Sequence, residues 1–312
     1  MRTRPLGRTG LAVSTIGFGG SPIGSVFRPV SQTEAEAAVR TALDAGINYF
    51  DTSPYYGATA AETALGRALR GVPRECYVLA TKAGRYGGPA TFDFSAARVT
   101  AGVDESLARL GCGHIDLLQV HDLEFGARDQ IVEETLPALQ RLREAGKIRG
   151  IGITGLPLTA LRAVWERARD HIDAVLSYCH LTLSDDTFLP WARELRAAGV
   201  GVINAAPLAM GLLTNAGPPA WHPAPEPVRT AAASAAEWCR ARGVDMADLA
   251  LSDALARDDV DCTVIGFASA AEVTRAVAAL TREPDPALSR AVKAMFDPVR
   301  NVTWPSGRAE NN

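Results

Sequence analysis

INYFDTSPYYG, residues 47–57, poses the problem from which the rest of the chain is read. Residues 47–50 form an apolar run of strand length. Asp51, Thr52, Ser53, Tyr55 and Tyr56 follow it within six positions. A solvated turn after a strand asks for Gly, Pro, Asn or Asp. It does not ask for a carboxylate and a phenol at fixed spacing. What the other strands bring beside these groups therefore decides the reading.

Seven further apolar runs of strand length lie at 16–18, 77–80, 115–120, 148–153, 174–176, 200–203 and 263–265. Helical signals alternate with them. Ser31 and Glu34 make a capping box, Ala35, Ala38, Val39, Ala42 and Leu43 fall at helical spacing, and Gly46 marks the stop. Val99, Val103, Leu107 and Leu110 repeat the pattern before Gly111. Ser269 and Glu272 cap a helix carrying Val273, Ala276, Val277 and Leu280. Runs apolar on both faces suit a buried parallel sheet. Eight such β/α units predict a (β/α)8 TIM barrel, one domain over residues 1–312, with a C-terminal helical extension. An open dinucleotide-binding sheet fits less well. GFGGSPIG (17–24) is not a GxGxxG fingerprint. PLGRTGLAV (5–13) predicts an N-terminal β-hairpin turning at Gly7 and Gly10. AGPPAWHPAPEP (216–227) predicts a long loop at the mouth after the seventh strand.

Bulk properties narrow the partners. A chain of 312 residues, 47% hydrophobic, buries a large core. A formal net charge of -3 offers no basic surface for nucleic acid or a membrane. The cysteines (Cys76, Cys112, Cys179, Cys239, Cys262) are scattered and unpaired in sequence. That predicts a reducing, cytoplasmic setting, and neither a metal site nor a disulfide frame. The N-terminal stretch lacks an apolar h-region, and no run of 18 apolar residues occurs, so neither a secretory signal nor a membrane span is expected. A small molecule is the expected partner, and the expected state is a monomer or weak homo-oligomer.

In a barrel the C-terminal ends of successive strands converge on one mouth. Asp51 ends the second strand, Lys82 ends CYVLATK, His121 ends IDLLQVH, and Tyr56 lies just past the first of these ends. Each has a bland reading alone: a cap, a solvated lysine, a core histidine, a packed loop tyrosine. Together they suit carbonyl–alcohol interconversion. A phenol has a reference pKa of about 10, which a neighbouring ammonium lowers. An aspartate holds that lysine charged, and a histidine orients the substrate oxygen. None is a strong nucleophile here, which fits hydride transfer through a cofactor.

The residues in GINYFDTSPYYG (46–57), ATKAG (80–84), EAGKIRGIGIT (144–154) and APLAMGLL (206–213) resemble the blocks of the aldo-keto reductase family along essentially the whole chain. The resemblance implies a nicotinamide cofactor lying extended across the mouth and a catalytic tetrad of Asp51, Tyr56, Lys82 and His121. VHDLEFGARDQIVEETLPALQ (120–140), GITGLPL (152–158), LSYCHLTL (176–183), GPPAWHP (217–223) and NVTWPSG (301–307) resemble one branch, that of L-galactose dehydrogenase and the L-fucose or D-threo-aldose 1-dehydrogenases. This implies oxidation of the anomeric carbon of an aldose to its lactone, with His121, Asp122, Tyr56 and Trp304 against the sugar. Asp122 and the following LEFG either bond sugar hydroxyls or Asp122 merely caps the loop.

The same resemblance assigns the cofactor to Gly20 and Ser21 after the first strand and to Thr154 and Ser177 on the fifth and sixth. It adds Ala205, Pro207, Leu208 and Gly211 after the seventh. After the eighth it adds Gly266, Phe267, Ala268 and Ser269, then Glu272 and Arg275 on the next helix. Several positions depart from the family pattern. The Ser-Asn pair that holds the carboxamide reads Thr154-Gly155, its glutamine partner reads Leu176, and the ring-stacking tyrosine reads Ala205. Where relatives place an arginine on the adenosine 2′-phosphate, this chain has Ala268, so NAD is expected over NADP. Other readings are another small aldehyde or cyclic hemiacetal of pyridoxal type, a Schiff-base aldolase through Lys82, and a non-catalytic cofactor-binding subunit.

Overall fold

A computed structural model describes residues 1–87, 91–281 and 285–312. The chain opens with the expected hairpin, β1 (Thr3–Pro5) antiparallel to β2 (Ala12–Ser14). Eight parallel strands follow: β3 (Ile16–Gly19), β4 (Tyr49–Asp51), β5 (Val78–Ala83), β6 (Ile115–Val120), β7 (Ile148–Gly155), β8 (Ala174–Tyr178), β9 (Gly201–Ala205) and β10 (Cys262–Gly266). They close into a barrel in sequence order, with β10 beside β3. Each of the eight predicted runs overlaps one of these strands, though those at 47–50, 77–80 and 200–203 begin one or two residues before it. The hairpin plugs the bottom: Leu6 and Val13 are fully buried against the barrel-lining Tyr49, Leu117 and Ile203. The approach is close enough that Gly7, at φ 49°, would bring a Cβ to 2.3 Å from Gly201 N.

The layer outside comprises α1 (Gln32–Asp44), α2 (Ala60–Ala68), α3 (Ala96–Leu110), α4 (Arg128–Gln130), α5 (Leu136–Glu144), α6 (Leu158–Arg167), α7 (Leu189–Ala197), α8 (Glu226–Arg240), α9 (Met246–Leu255) and α10 (Ala270–Ala279). A π turn at Ile131–Thr135 joins α4 to α5. The box at Ser31 forms in full, Glu34 N donating to Ser31 Oγ at 3.2 Å and Ser31 N to Glu34 Oε2 at 3.0 Å. At α10 only half forms: Glu272 N donates to Ser269 Oγ at 3.3 Å, but the Glu272 carboxylate accepts from Ala268 N instead, at 2.6 Å. The expected loop over 216–227 is shorter than read, because α8 already includes Glu226 and Pro227. Proline suits a first helical turn, where its missing N–H costs no bond.

The C-terminal extension is α11 (Pro286–Met295), whose Val292 packs with Val228, Cys239 and Ala250 of α8 and α9. The tail then returns to the mouth. Arg308 N donates to Glu124 O at 3.0 Å, and Asn311 Nδ2 donates to the same carbonyl at 2.7 Å. No helix among the described residues is long and apolar enough to cross a membrane.

Candidate active site

Strand alternation points Asp51, Lys82 and Gln119 into the barrel, above an apolar floor that includes Tyr49, Ala80 and Leu117. Lys82 Nζ donates to Asp51 Oδ1 and, at 2.9 Å, to Thr52 O. Gln119 Nε2 donates to the other carboxylate oxygen at 2.8 Å. All three side chains are buried. A charge pair taken from water needs such added bonds to be tolerated.

Tyr56 is carried by a tight coil. Gly57, Ala58 and Thr59 follow it in the left-handed region, at φ 61°, 49° and 78°. Two of the three are not glycine, strain of a kind that collects at functional sites. The coil turns the Tyr56 ring back over the mouth, with Lys82 Nζ 5.0 Å from its centre. His121 stands edge-on to it, ring centres 5.6 Å apart at 88°. His121 Nδ1 shares a hydrogen bond with Ser53 Oγ at 3.0 Å. The four residues predicted from strand ends thus meet at one point.

The electrostatics correct one expectation. Lys82 does favour the Tyr56 phenolate, but burial outweighs it, and Asp51 and Asp122 add to burial, so the phenol titrates above 10 rather than below. Burial alone would depress Lys82. Asp51 and Tyr56 more than offset it, and the ammonium is held above its ordinary value. A lysine so held is a cation rather than a free amine, which removes the reason for a Schiff-base reading. Burial, with Lys82 and Arg85 nearby, pushes His121 well below 6.5, so its ring is neutral at pH 7.

The expected cofactor residues fall largely along one side of the mouth, at the ends of adjacent strands β9, β10 and β3. Gly20 N is tied to Asp51 O at 2.7 Å, and Ser21 opens the 3₁₀ turn Pro22–Gly24. The turn holding Pro207, Leu208 and Gly211 is strained: Ala206, Ala209 and Met210 have φ of 50°, 45° and 53°. Gly266 meets Pro22, where a Cβ would come to 3.0 Å of the proline ring. Phe267 turns its ring away and packs on Phe18 at 5.4 Å. Arg275 is engaged by Asp248 at 2.5 Å and Asp245 at 2.7 Å. Across the mouth, Thr154 faces inward. Leu176 lines the interior, so alternation sets Ser177 on the helix side of β8. Trp304, from the tail, lies edge-on to His222 at 5.2 Å.

These surfaces fit a nicotinamide dinucleotide. Strained backbone at β9 and the N-terminus of α10 suit its phosphates, and the inward Thr154 can hold its carboxamide. Where the family pattern has asparagine, a Cβ on Gly155 would lie 2.3 Å from Glu124 Oε2, so a side chain there requires the Glu124 carboxylate to move.

Sequence reasoning missed Gln119, Ser53 and Arg85, and reached Glu124 only as part of LEFG. A glutamine two places before His121 in an apolar strand was a usable signal. Ser53 lay inside the opening motif. Arg85 and the contacts of Glu124 had none, because their partners are distant in sequence.

A profile of the Aldo/keto reductase family matches residues 15–293. L-galactose dehydrogenase of Arabidopsis thaliana is 48% identical over 99% of this chain and 98% of its own length. D-threo-aldose 1-dehydrogenase of a Pseudomonas species is 34% identical over 67% of this chain and 70% of its own. The holo form of an aldo-keto reductase from Bacillus halodurans superposes with a TM-score of 0.78 at 27% identity, covering 98% of this chain and 99% of that one. With its barrel, its tetrad and these matches, the chain belongs to the aldo/keto reductase family.

Proposed function

We propose that this protein is an NAD-dependent aldose 1-dehydrogenase, oxidising the anomeric carbon of L-galactose, L-fucose or a similar sugar to the lactone. The observation that carries the reading is the contact set at the mouth: Lys82 held between Asp51 and the Tyr56 ring, with a neutral His121 edge-on to that ring. Tyr56 takes the proton of the anomeric hydroxyl as hydride leaves the same carbon. The phenolate that does this is stabilised by the Lys82 ammonium. Neutral His121 orients the hydroxyl through its free ring nitrogen, the other being fixed by Ser53. Asp51 and Gln119 keep Lys82 in place. The nicotinamide, when bound, is the hydride acceptor.

Preference for NAD is supported at α10. Ala268 has no group to pair with a 2′-phosphate, and the Glu272 carboxylate already holds the Ala268 N–H. Arg275 is neutralised by two aspartates. The aldose reading is supported by the relatives named above. Its test is a panel of aldoses and small aldehydes, pyridoxal included, with NAD and NADP, followed by absorbance of the reduced cofactor. Turnover of an aldose with NAD is expected. Turnover of pyridoxal or a simple aldehyde alone overturns the reading.

A further inference from the structure

Arg85, in the segment after β5, lies over the mouth beside the tetrad. Its guanidinium is 3.5 Å from the centre of the Tyr55 ring, 5.1 Å from that of Phe92 and 5.8 Å from that of Phe125. Phe92 and Phe125 are stacked on each other at 4.1 Å and 7°. One guanidinium nitrogen donates to Asp122 Oδ2. Aromatic faces and a carboxylate thus fix the plane and direction of the fork, which lowers the entropy lost when a ligand uses its remaining donors.

Asp122 is held just as firmly. It is buried, and its backbone is left-handed at φ 48° although it is not glycine. It stands at the N-cap position of the 3₁₀ turn Leu123–Phe125, where its carbonyl accepts from Phe125 N at 3.0 Å but its side chain makes no capping bond. The loop-capping role open from sequence is therefore absent. Its side chain turns to Arg85, and its Oδ2 lies 3.7 Å from His121 Nε2, the ring nitrogen left free by Ser53. Among the described residues, neither Asp122 Oδ1 nor Arg85 Nη2 has a hydrogen-bond partner.

We propose that Arg85 is a specificity-determining residue: with Asp122 it clamps two neighbouring hydroxyls of the sugar, beginning at the carbon next to the one oxidised. The proposal rests on the aldose reading above. A carboxylate only accepts hydrogen bonds and a guanidinium only donates them, whereas each hydroxyl does both. The pair therefore reads a vicinal diol and offers nothing to an apolar aldehyde. Position supports this. A sugar whose reacting hydroxyl lies at Tyr56 and His121 carries its next hydroxyl on the adjacent carbon, and Asp122 Oδ2 stands 3.7 Å from His121 Nε2 with Arg85 bonded to it.

The test compares an aldose with its 2-deoxy and 3-deoxy analogues at saturating NAD, in wild type, Arg85→Met, Arg85→Lys and Asp122→Asn. A site built to bond a hydroxyl rejects the analogue lacking it strongly, so kcat/KM for the parent sugar is expected to fall about 100-fold or more in Arg85→Met. The same variant should act on the matching deoxy sugar within about threefold of wild type, because the lost partners are coupled. Arg85→Lys keeps the charge and loses the fork, and should show the same pattern more weakly. NAD affinity, read by quenching of protein fluorescence, should not change. Equal losses against parent and deoxy sugars in Arg85→Met overturn the clamp while leaving the aldose reading intact. A wild type that oxidises no aldose overturns both. Should Arg85→Met fail to fold, Arg85→Lys decides by the same comparison, since it preserves the ion pair.

Discussion

Glu124 Oε2 occupies the space in which a side chain on residue 155 would begin, 2.3 Å from the position of a Cβ on Gly155. Its other oxygen accepts from Ser306 Oγ at 2.8 Å and Leu156 N at 3.2 Å. One buried carboxyl thus joins the loop after His121, the end of β7 and the C-terminal tail. Burial, then the nearby Asp122, push it up from 4.5 to about 7.

That shift sets a pH dependence of stability. The folded state binds the Glu124 proton more tightly than the unfolded chain does. The contribution is fully present below about pH 4.5 and is lost as pH rises through about 7. At 1.36 kcal/mol per unit, it is on the order of 3 kcal/mol. Thermal unfolding across this range should show a falling stability in wild type and a flatter profile in Glu124→Gln, which is neutral throughout. Parallel profiles for the two proteins would remove Glu124 as the cause.

Tyr56→Phe keeps the ring and removes the proton carrier. Turnover of the sugar should drop by about 100- to 10,000-fold, the usual share of general acid–base catalysis. NAD affinity should be unchanged. Near-wild-type turnover at saturating substrate would be incompatible with the assigned role.

Lys82→Met should act on both rate and fold. Without the ammonium the phenol titrates still higher, so the pH at which oxidation reaches its plateau moves upward. The variant also leaves Asp51 buried with only Gln119, a loss of about 3–5 kcal/mol for a broken buried pair. The double variant Asp51→Asn/Lys82→Met should recover much of that stability and none of the rate. Denaturant unfolding and pH–rate profiles of the three proteins check both points; an unmoved profile in Lys82→Met would rule out the coupling.

Cofactor choice is tested at α10. Wild type should use NAD with the higher specificity constant, and Ala268→Arg should raise that for NADP by supplying a fork to the 2′-phosphate. Adding Glu272→Gln should raise it further, because the carboxylate beside Ala268 N repels the same phosphate. A wild type favouring NADP tenfold would contradict the reading and turn attention to Arg275.

Local pattern alone determined the eight strands, because runs apolar on both faces belong only where helices cover a parallel sheet, and it determined the caps at Ser31 and Ser269, which depend on residues three apart. It also brought Asp51, Lys82 and His121 together in the reading, since strand ends in a barrel share one mouth. Tertiary structure decided what those groups are worth. The upward shift of Tyr56 comes from burial, a property of the closed barrel that no spacing encodes. Gln119 reaches Asp51 across the intervening β5, a partner fixed by register. Arg85 finds Asp122 37 positions away, and Ser306 finds Glu124 182 positions away. Sequence patterns report the periodicity of a residue's own element. Contacts between elements depend on how the barrel closes and where the tail returns, and these exist only once the chain is folded.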